Sequence, residues 1–394
     1  MVHSTGDSRQ GNARVRVGMV GGGREAFIGA VHRMALRLDD AGVLVAGALS
    51  SDPQVAKLSG ADLGLAPDRA YKSYSAMAKA EAARADGIEV VVIVTPNHLH
   101  APVAKAFLQA GIDVICDKPL SATLAEALEL VELARASGLV FAVTLNNSGY
   151  AMVRQAREMI AAGRLGDVRL VRVQYIQDWL TLPIDQDGQK QAAWRTDPER
   201  AGRSACLADI GVHAHHLAAF VSGLQLDAVC ADLSTSLPGR RLDDNAHVLL
   251  RYVGGARGVL VASQVSPGNH NRLELEIYGS AGGLRWCGEE PEALHFTALG
   301  EPTQKLVRGG PGGTPDAQAA SRMPAGHPEG YVEGFANLYR DALALVRARR
   351  RGDVQDARAA TRVPNVMDGA RGLKFVDAAV DSHLAGGAWR SARL

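Results

Sequence analysis

Val15-Arg16-Val17-Gly18-Met19-Val20-Gly21-Gly22-Gly23-Arg24-Glu25-Ala26 opens as a short apolar strand and closes on glycines. Gly21, Gly23 and Ala26 fall at the spacing G-x-G-x-x-A. In such a loop Gly21 makes the tight turn, Gly23 lets a pyrophosphate approach the backbone, and Ala26 permits close helix packing. A helix starting there turns free N–H groups and its positive dipole end toward phosphates. A glycine run alone is weak evidence, because a plain strand-to-helix turn uses the same residues. Its weight comes from the strands and helices farther along the chain.

Outward from this run, short Val- and Ile-rich segments recur at Leu44–Leu49, Val90–Thr95, Asp113–Cys116 and Val140–Val143. Strands buried on both faces have this composition. Between them, Ala101–Ala110 and Leu124–Ser137 have helical periodicity, the latter with Ser121 or Thr123 as cap and Gly138 as stop. Residues 14–148 are therefore expected to form a dinucleotide-binding, doubly wound parallel sheet of the Rossmann type, behind a disordered tail at 1–13.

After Tyr150 the pattern changes. A helix at Tyr150–Ala162 precedes longer strands at Val168–Gln177, Ala228–Ser236, Ala246–Tyr252, Gly258–Val265 and Leu273–Tyr278, separated by Gly254-Gly255 and Gly282-Gly283. Residues 149–394 are expected to form an α+β domain with a large, open, mainly antiparallel sheet, its C-terminal helices packing back on the first domain. No run of helices after Tyr252 is evident to cover that sheet, so its open face is expected to make a homodimer or homotetramer. The polar stretch Thr181–Arg203 reads as a long functional loop.

Composition narrows the function classes. Of 394 residues 47% are hydrophobic and 22% charged, the balance of a globular protein. The 43 Lys and Arg against 42 Asp and Glu leave a net charge of +1, which gives nucleic acid or an acidic membrane nothing to grip. The basic run Arg347–Arg351 fits a solvated helix C-terminus. Cys116, Cys206, Cys230 and Cys287 are dispersed, without a C-x-x-C pair, so neither a zinc site nor a disulfide framework is encoded. A cytoplasmic protein is expected, since no apolar leader or membrane span is legible.

The chemistry-bearing residues cluster at strand ends. Ser50, Ser51 and Asp52 follow the second strand, where an acid ordinarily holds the adenosine ribose of NAD. No arginine follows to bind a 2′-phosphate, which favours NAD and leaves NADP as the alternative. Thr95-Pro96-Asn97-His98-Leu99-His100 follows the third strand, and Asn97 and His100 are candidates near a nicotinamide ribose, with loop capping the competing role. Asp117-Lys118-Pro119 follows the fourth, with Lys118 presented into the cofactor cleft. Farther on, Asp209 and His213 stand four apart, on one face of a helix. His215 and His216 raise the question of a metal, but neighbouring helical positions diverge by about 100°, so no metal is expected.

Together these motifs resemble the glucose-fructose oxidoreductase and inositol dehydrogenase family, usually called Gfo/Idh/MocA, over Arg14 to about Ala388. The resemblance implies that Lys118 is catalytic, that Asp209 contacts substrate and that His213 is the acid/base. Relatives commonly carry Glu-Lys-Pro where this chain has Asp117-Lys118-Pro119, and many have an acid at the place of His216. The chemistry agrees: oxidising a secondary alcohol needs a base with a near-neutral pKa, a donor for the developing alkoxide and a group to hold substrate. Trp179, Trp194 and Arg195 in the long loop, with Lys190 nearby, are candidates for stacking on and bonding to a sugar. Arg322–Tyr331, including His327, borders either the site or a subunit contact. The expected activity is NAD(P)-dependent oxidation of a hydroxyl on a sugar, polyol or sugar derivative. A glycosidase that oxidises its sugar transiently and a non-catalytic nucleotide sensor are the competing readings.

Overall fold

Runs of Val and Ile build the first sheet. In the computed structural model, which describes residues 14–24, 26–187, 189–353 and 357–394, five strands lie parallel: β1 (Val15–Gly21), β2 (Gly42–Ala48), β3 (Val90–Val94), β4 (Asp113–Cys116) and β5 (Phe141–Val143). Their order is β2-β1-β3-β4-β5. β3 is buried along its whole length, as helices on both faces require. The strand order reverses between β1 and β3, which opens a crevice at their carboxyl ends. The expected tail at 1–13 and Glu25 lie outside the described residues.

Helix Leu124–Ser137 has the expected limits because its caps are strong. Thr123 accepts from the Glu126 N–H, Glu126 answers the Thr123 N–H, and Gly138 closes the helix at φ 63°. Ser121, the other candidate cap, donates instead to the Thr123 carbonyl. Helices Pro53–Asp62 and Tyr74–Ala83 were not anticipated. They are short and lack a continuous apolar stripe, which hides them from periodicity.

The second sheet has nine strands: β6 (Val168–Ile176), β7 (Leu226–Ser234), β8 (Asn245–Tyr252), β9 (Arg257–Ser263), β10 (Arg272–Gly279), β11 (Gly282–Cys287), β12 (Ala293–Ala298), β13 (Gln304–Val307) and β14 (Arg390–Ser391). The order is β13-β12-β11-β10-β6-β9-β8-β7-β14, antiparallel except between β6 and β9. Alternation sorts the side chains by face. Val171, Val173 and Tyr175 of β6 point into the core under helix Val212–Ser222, while helices Ala151–Ala161 and Val366–Leu384 extend the layer over β11, β12 and β7.

The chain after Tyr252 carries two long helices, Tyr331–Arg351 and Val366–Leu384. The first lays Phe335, Tyr339, Leu343 and Val346 on the parallel sheet, and the second shares its apolar residues between the cores of the two sheets. Neither covers the outer face of the large sheet, where Leu249 is 51% exposed and Tyr278 40%. Two expectations need correction. The basic run is not simply solvated: Arg349 bonds both carboxylate oxygens of Asp113 at 2.8 and 2.6 Å, and Arg347 reaches the Ala41 carbonyl. The stretch Thr181–Arg203 contains helices Lys190–Arg195 and Pro198–Ala201. Buried Arg240 pins its start through the Leu182 carbonyl at 3.1 Å and Asp185 at 3.0 Å.

Candidate active site

β1 ends in Gly21 and Gly22, at φ 79° and 72°, a left-handed pair that few other residues adopt cheaply. Helix Phe27–Leu38 then begins with no side-chain cap on its first turn, which leaves its N–H groups for a phosphate. A Cβ on Gly23 would meet the Leu49 carbonyl oxygen at 2.6 Å and Ser59 Oγ at 2.7 Å, so this position admits no side chain. One role shifts from the sequence reading. Ala26 is not the close-packing residue. That place belongs to Gly29, where a Cβ would stand 2.4 Å from Gly22 Cα. Arg33, on the same helix, donates to the Gly22 carbonyl at 2.6 Å and braces the loop.

At the ribose end, Asp52 Oδ1 caps helix Pro53–Asp62 through the N–H groups of Gln54 and Val55. Ser50 Oγ accepts from the Asp52 N–H at 3.1 Å. Both stand at the expected edge, tied into the local turn. Thr95 Oγ1 is buried without a partner among the described residues, and Asn97 is 6% exposed beside it. An orphaned hydroxyl and an uncapped helix start fit a dinucleotide lying along this edge. His100 is a correction: its Nδ1 lies 2.7 Å from the Pro119 carbonyl and its Nε2 2.8 Å from the Thr95 carbonyl. It ties two loops together instead of offering a ring nitrogen to a ribose.

The loop after β4 carries Asp117, which accepts from the Thr144 hydroxyl at 2.7 Å and the Lys118 N–H at 2.9 Å. Burial alone raises this carboxyl's pKa, but the neighbouring His32 and Lys118 and the Thr144 bond outweigh it, and Asp117 stays below the ordinary value. Lys118 crosses the cleft. Its Nζ donates to Asp209 Oδ1 at 2.8 Å and to the Asp209 carbonyl at 2.7 Å. Gln264 Nε2 donates to Asp209 Oδ2 at 2.9 Å, and Arg195 Nε lies 3.4 Å from the same oxygen. Burial opposes the Asp209 charge, yet Lys118, Arg195 and Gln264 overcome it and hold the carboxyl far below its usual range.

Asp209 does not lie in an ordinary α-helix. Leu207–Gly211 is a π-helical turn leading into helix Val212–Ser222, and such wide turns recur at functional sites. His213, one turn on, is buried, and its Nδ1 lies 3.1 Å from Asn147 Nδ2. Burial first, and then the charge of Lys118, push its pKa down to about 3. The near-neutral imidazole expected from sequence is therefore not what the fold makes. His215 stacks on Phe375 at 4.7 Å and His216 lies against Phe220 at 5.7 Å. Both are buried, and no group of three or more His, Cys, Asp or Glu gathers as a metal set among the described residues.

The long stretch delivers its candidates together: the Arg195 guanidinium lies 4.2 Å from the Trp194 ring centre and 6.0 Å from that of Trp179. Of the last candidate segment, Tyr331 borders the cleft. Its ring packs on Phe335 at 5.2 Å though the residue is 38% exposed, and desolvation of its inner part, with Asp117, Tyr150 and then Asp209 nearby, pushes its pKa up. Arg322 instead pairs with Asp39, and His327 is exposed. Sequence reasoning missed Gly29, Thr144, Asn147, Tyr175 and Gln264. Thr144 and Asn147 directly follow β5, so the rule that ligands gather at carboxyl ends of parallel strands reaches them. Gln264 follows a strand of the other sheet, where no such rule applies.

A parallel nucleotide-binding sheet facing a lysine–aspartate pair defines a dehydrogenase-type oxidoreductase. Residues 15–145 match the model of the oxidoreductase family with NAD-binding Rossmann fold, and 153–285 that of the GFO/IDH/MocA C-terminal domain. The chain belongs to the Gfo/Idh/MocA family, and it is an NAD-binding oxidoreductase. It is similar to an oxidoreductase from Sinorhizobium meliloti, 48% identical over 96% of this chain and 99% of that one, with TM-score 0.86. An inositol dehydrogenase homolog from Azotobacter vinelandii, solved with NAD+, is 37% identical over 96% and 97%, with TM-score 0.91. It has also been solved with NADH and myo-inositol. A levoglucosan dehydrogenase solved with NADH is 26% identical over 97% and 100%, with TM-score 0.83.

Proposed function

We propose that this chain oxidises a secondary hydroxyl on a polyhydroxylated ring, a sugar or a cyclic polyol, in an NAD-linked reversible reaction. The observation that carries the reading is the Lys118–Asp209 pair at 2.8 Å, which joins the loop after β4 to the π-turn of the second sheet's helix layer. The similar inositol dehydrogenase homolog and levoglucosan dehydrogenase have been solved with myo-inositol and levoglucosan, and both ligands are rings bearing several hydroxyls.

The glycine loop, the start of helix Phe27–Leu38, Thr95, Asn97 and Asp117 would hold the cofactor, with Ser50 and Asp52 at its ribose end. When bound, NAD supplies the hydride acceptor. Lys118 and His213 are the two nitrogen groups beside the reacting hydroxyl, and its proton leaves to one of them. Asp209 fixes the Lys118 ammonium and accepts from a substrate hydroxyl. Trp179 and Trp194 offer faces to the ring, and Arg195 offers donors to its hydroxyls. Lys118→Ala should cut turnover by ~10²–10⁴ while NAD binds as before. Steady-state rates and a cofactor titration check this, and unchanged turnover would remove Lys118 from the chemistry.

A further inference from the structure

His213 has two ring nitrogens, and a neighbour on the first sheet decides which one carries hydrogen. Asn147 lies in the turn Asn146–Gly149 just after β5 and is 7% exposed. Its side-chain Nδ2 stands 3.1 Å from His213 Nδ1. An amide nitrogen only donates, so Nδ1 must present a lone pair, and a neutral imidazole then holds its hydrogen on Nε2. The ring's surroundings keep it neutral. Lys118 and Asp117 face it from the loop after β4, Asp209 and His216 from its own helical stretch, and Tyr175 edge-on from β6 at 6.0 Å. Burial and Lys118 dominate and disfavour the charged ring. Among the described residues no hydrogen bond is made to Nε2, which leaves that nitrogen for a ligand.

We propose that Asn147 is a positioning residue that fixes His213 with its hydrogen on Nε2, so that His213 donates a hydrogen bond to the reacting oxygen and Lys118 takes the hydroxyl proton. The proposal rests on the dehydrogenase reading of this site. In the oxidation the substrate C–H bond breaks with its electron pair and hydrogen passing to NAD. The Lys118 ammonium seen against Asp209 first releases one proton to solvent; the O–H bond then breaks, its proton goes to the lone pair so exposed on Lys118, and the C=O bond closes. The resulting ammonium is held by Asp209, as in the observed pair. His213 leaves the step unchanged, having stabilised the charge that builds on oxygen. In the reverse direction the Lys118 ammonium returns the proton to the carbonyl oxygen.

The test is long-range proton–nitrogen NMR on the full chain with ¹⁵N-labelled histidine and NAD present, His213 being assigned by its loss in His213→Gln. The expected spectrum shows Nε2 protonated and Nδ1 bare. A proton on Nδ1 would overturn the proposal, because Asn147 would then be accepting and Nε2 would be the free base. Asn147→Asp puts an acceptor against Nδ1 and should reverse the tautomer, lowering kcat by ~10²–10⁴ with KM little changed, as wrong-tautomer histidines do. A folded Asn147→Asp protein with wild-type kcat also overturns it. If that variant does not fold, the wild-type spectrum decides alone. The NMR needs no substrate, so failure of the dehydrogenase reading, seen as absence of substrate-dependent NADH, is a separate outcome.

Discussion

Only a hydrogen atom fits between Gly29 and the backbone of Gly22. A valine there would place its Cβ 2.4 Å from Gly22 Cα and 2.5 Å from the Gly22 carbonyl oxygen. Neither atom is the end of a flexible side chain, so helix and strand must separate. Gly29→Val should cost about 1–3 kcal/mol of stability from overpacking and abolish measurable NAD binding, because the helix start moves off the phosphate path. Thermal melts and a cofactor titration check it, and an unchanged NAD affinity would contradict this assignment. Gly21 and Gly23 were legible from sequence because their spacing follows directly on a strand. Gly29 was not, since the loop runs on to a helix that starts only at Phe27 and so carries the packing glycine past the expected Ala26. Lys118, Asp209 and His213 were legible by position and type. The state of His213 was not, because the residue that bonds it lies 66 positions away on the other sheet.

The π-turn and the helix after it place three histidines in the interior. His213, His215 and His216 are each 7 or 8% exposed, and burial pushes their pKa values down to about 3, 3 and 4. In the unfolded chain they take up protons as pH falls through about 6.5, whereas the folded protein resists until far lower. The unfolded state therefore binds more protons between those limits, and stability is lost as pH drops through that window. The melting temperature should fall steeply from about pH 7 to about pH 5, with a shallower slope in His215→Phe, whose ring can keep the stack on Phe375. A melting temperature flat across that range would contradict the burial of this helix. Caps alone did not decide which helices were legible. Leu124–Ser137 joined a capping box and a terminal glycine to 14 residues of pattern, while Pro53–Asp62, though capped by Asp52, offered only 10 residues with no apolar stripe and stayed hidden. The strands after Gly282 were missed because they are only two to six residues long, too short to establish an alternation, and pairing within the sheet decides them instead.

The two sheets share a single logic. Helix Tyr331–Arg351 covers the parallel sheet, helix Val366–Leu384 packs against both, and the large sheet keeps one face open. Leu170, Leu249 and Tyr278 stand on that face, 38, 51 and 40% exposed, among ion pairs such as Arg172–Glu276 at 2.9 Å. We propose that a second copy covers it. Sedimentation should show a dimer or tetramer at micromolar concentration, and Leu249→Lys with Tyr278→Lys should shift it toward monomer; a wild-type monomer would refute this. The proposed activity is assigned to the cleft between the sheets, and net NADH formation is its sharpest test. Sugars, glycosides, inositols and other cyclic polyols are offered with NAD, and absorbance of the reduced cofactor is followed alongside product. The expected result is substrate-dependent accumulation of NADH, one equivalent per carbonyl formed, with at least one ring polyol or sugar and not with Lys118→Ala. Consumption of a glycoside with no net NADH, or no turnover of any ring polyol or sugar by a protein that binds NAD, would contradict a ring-polyol dehydrogenase.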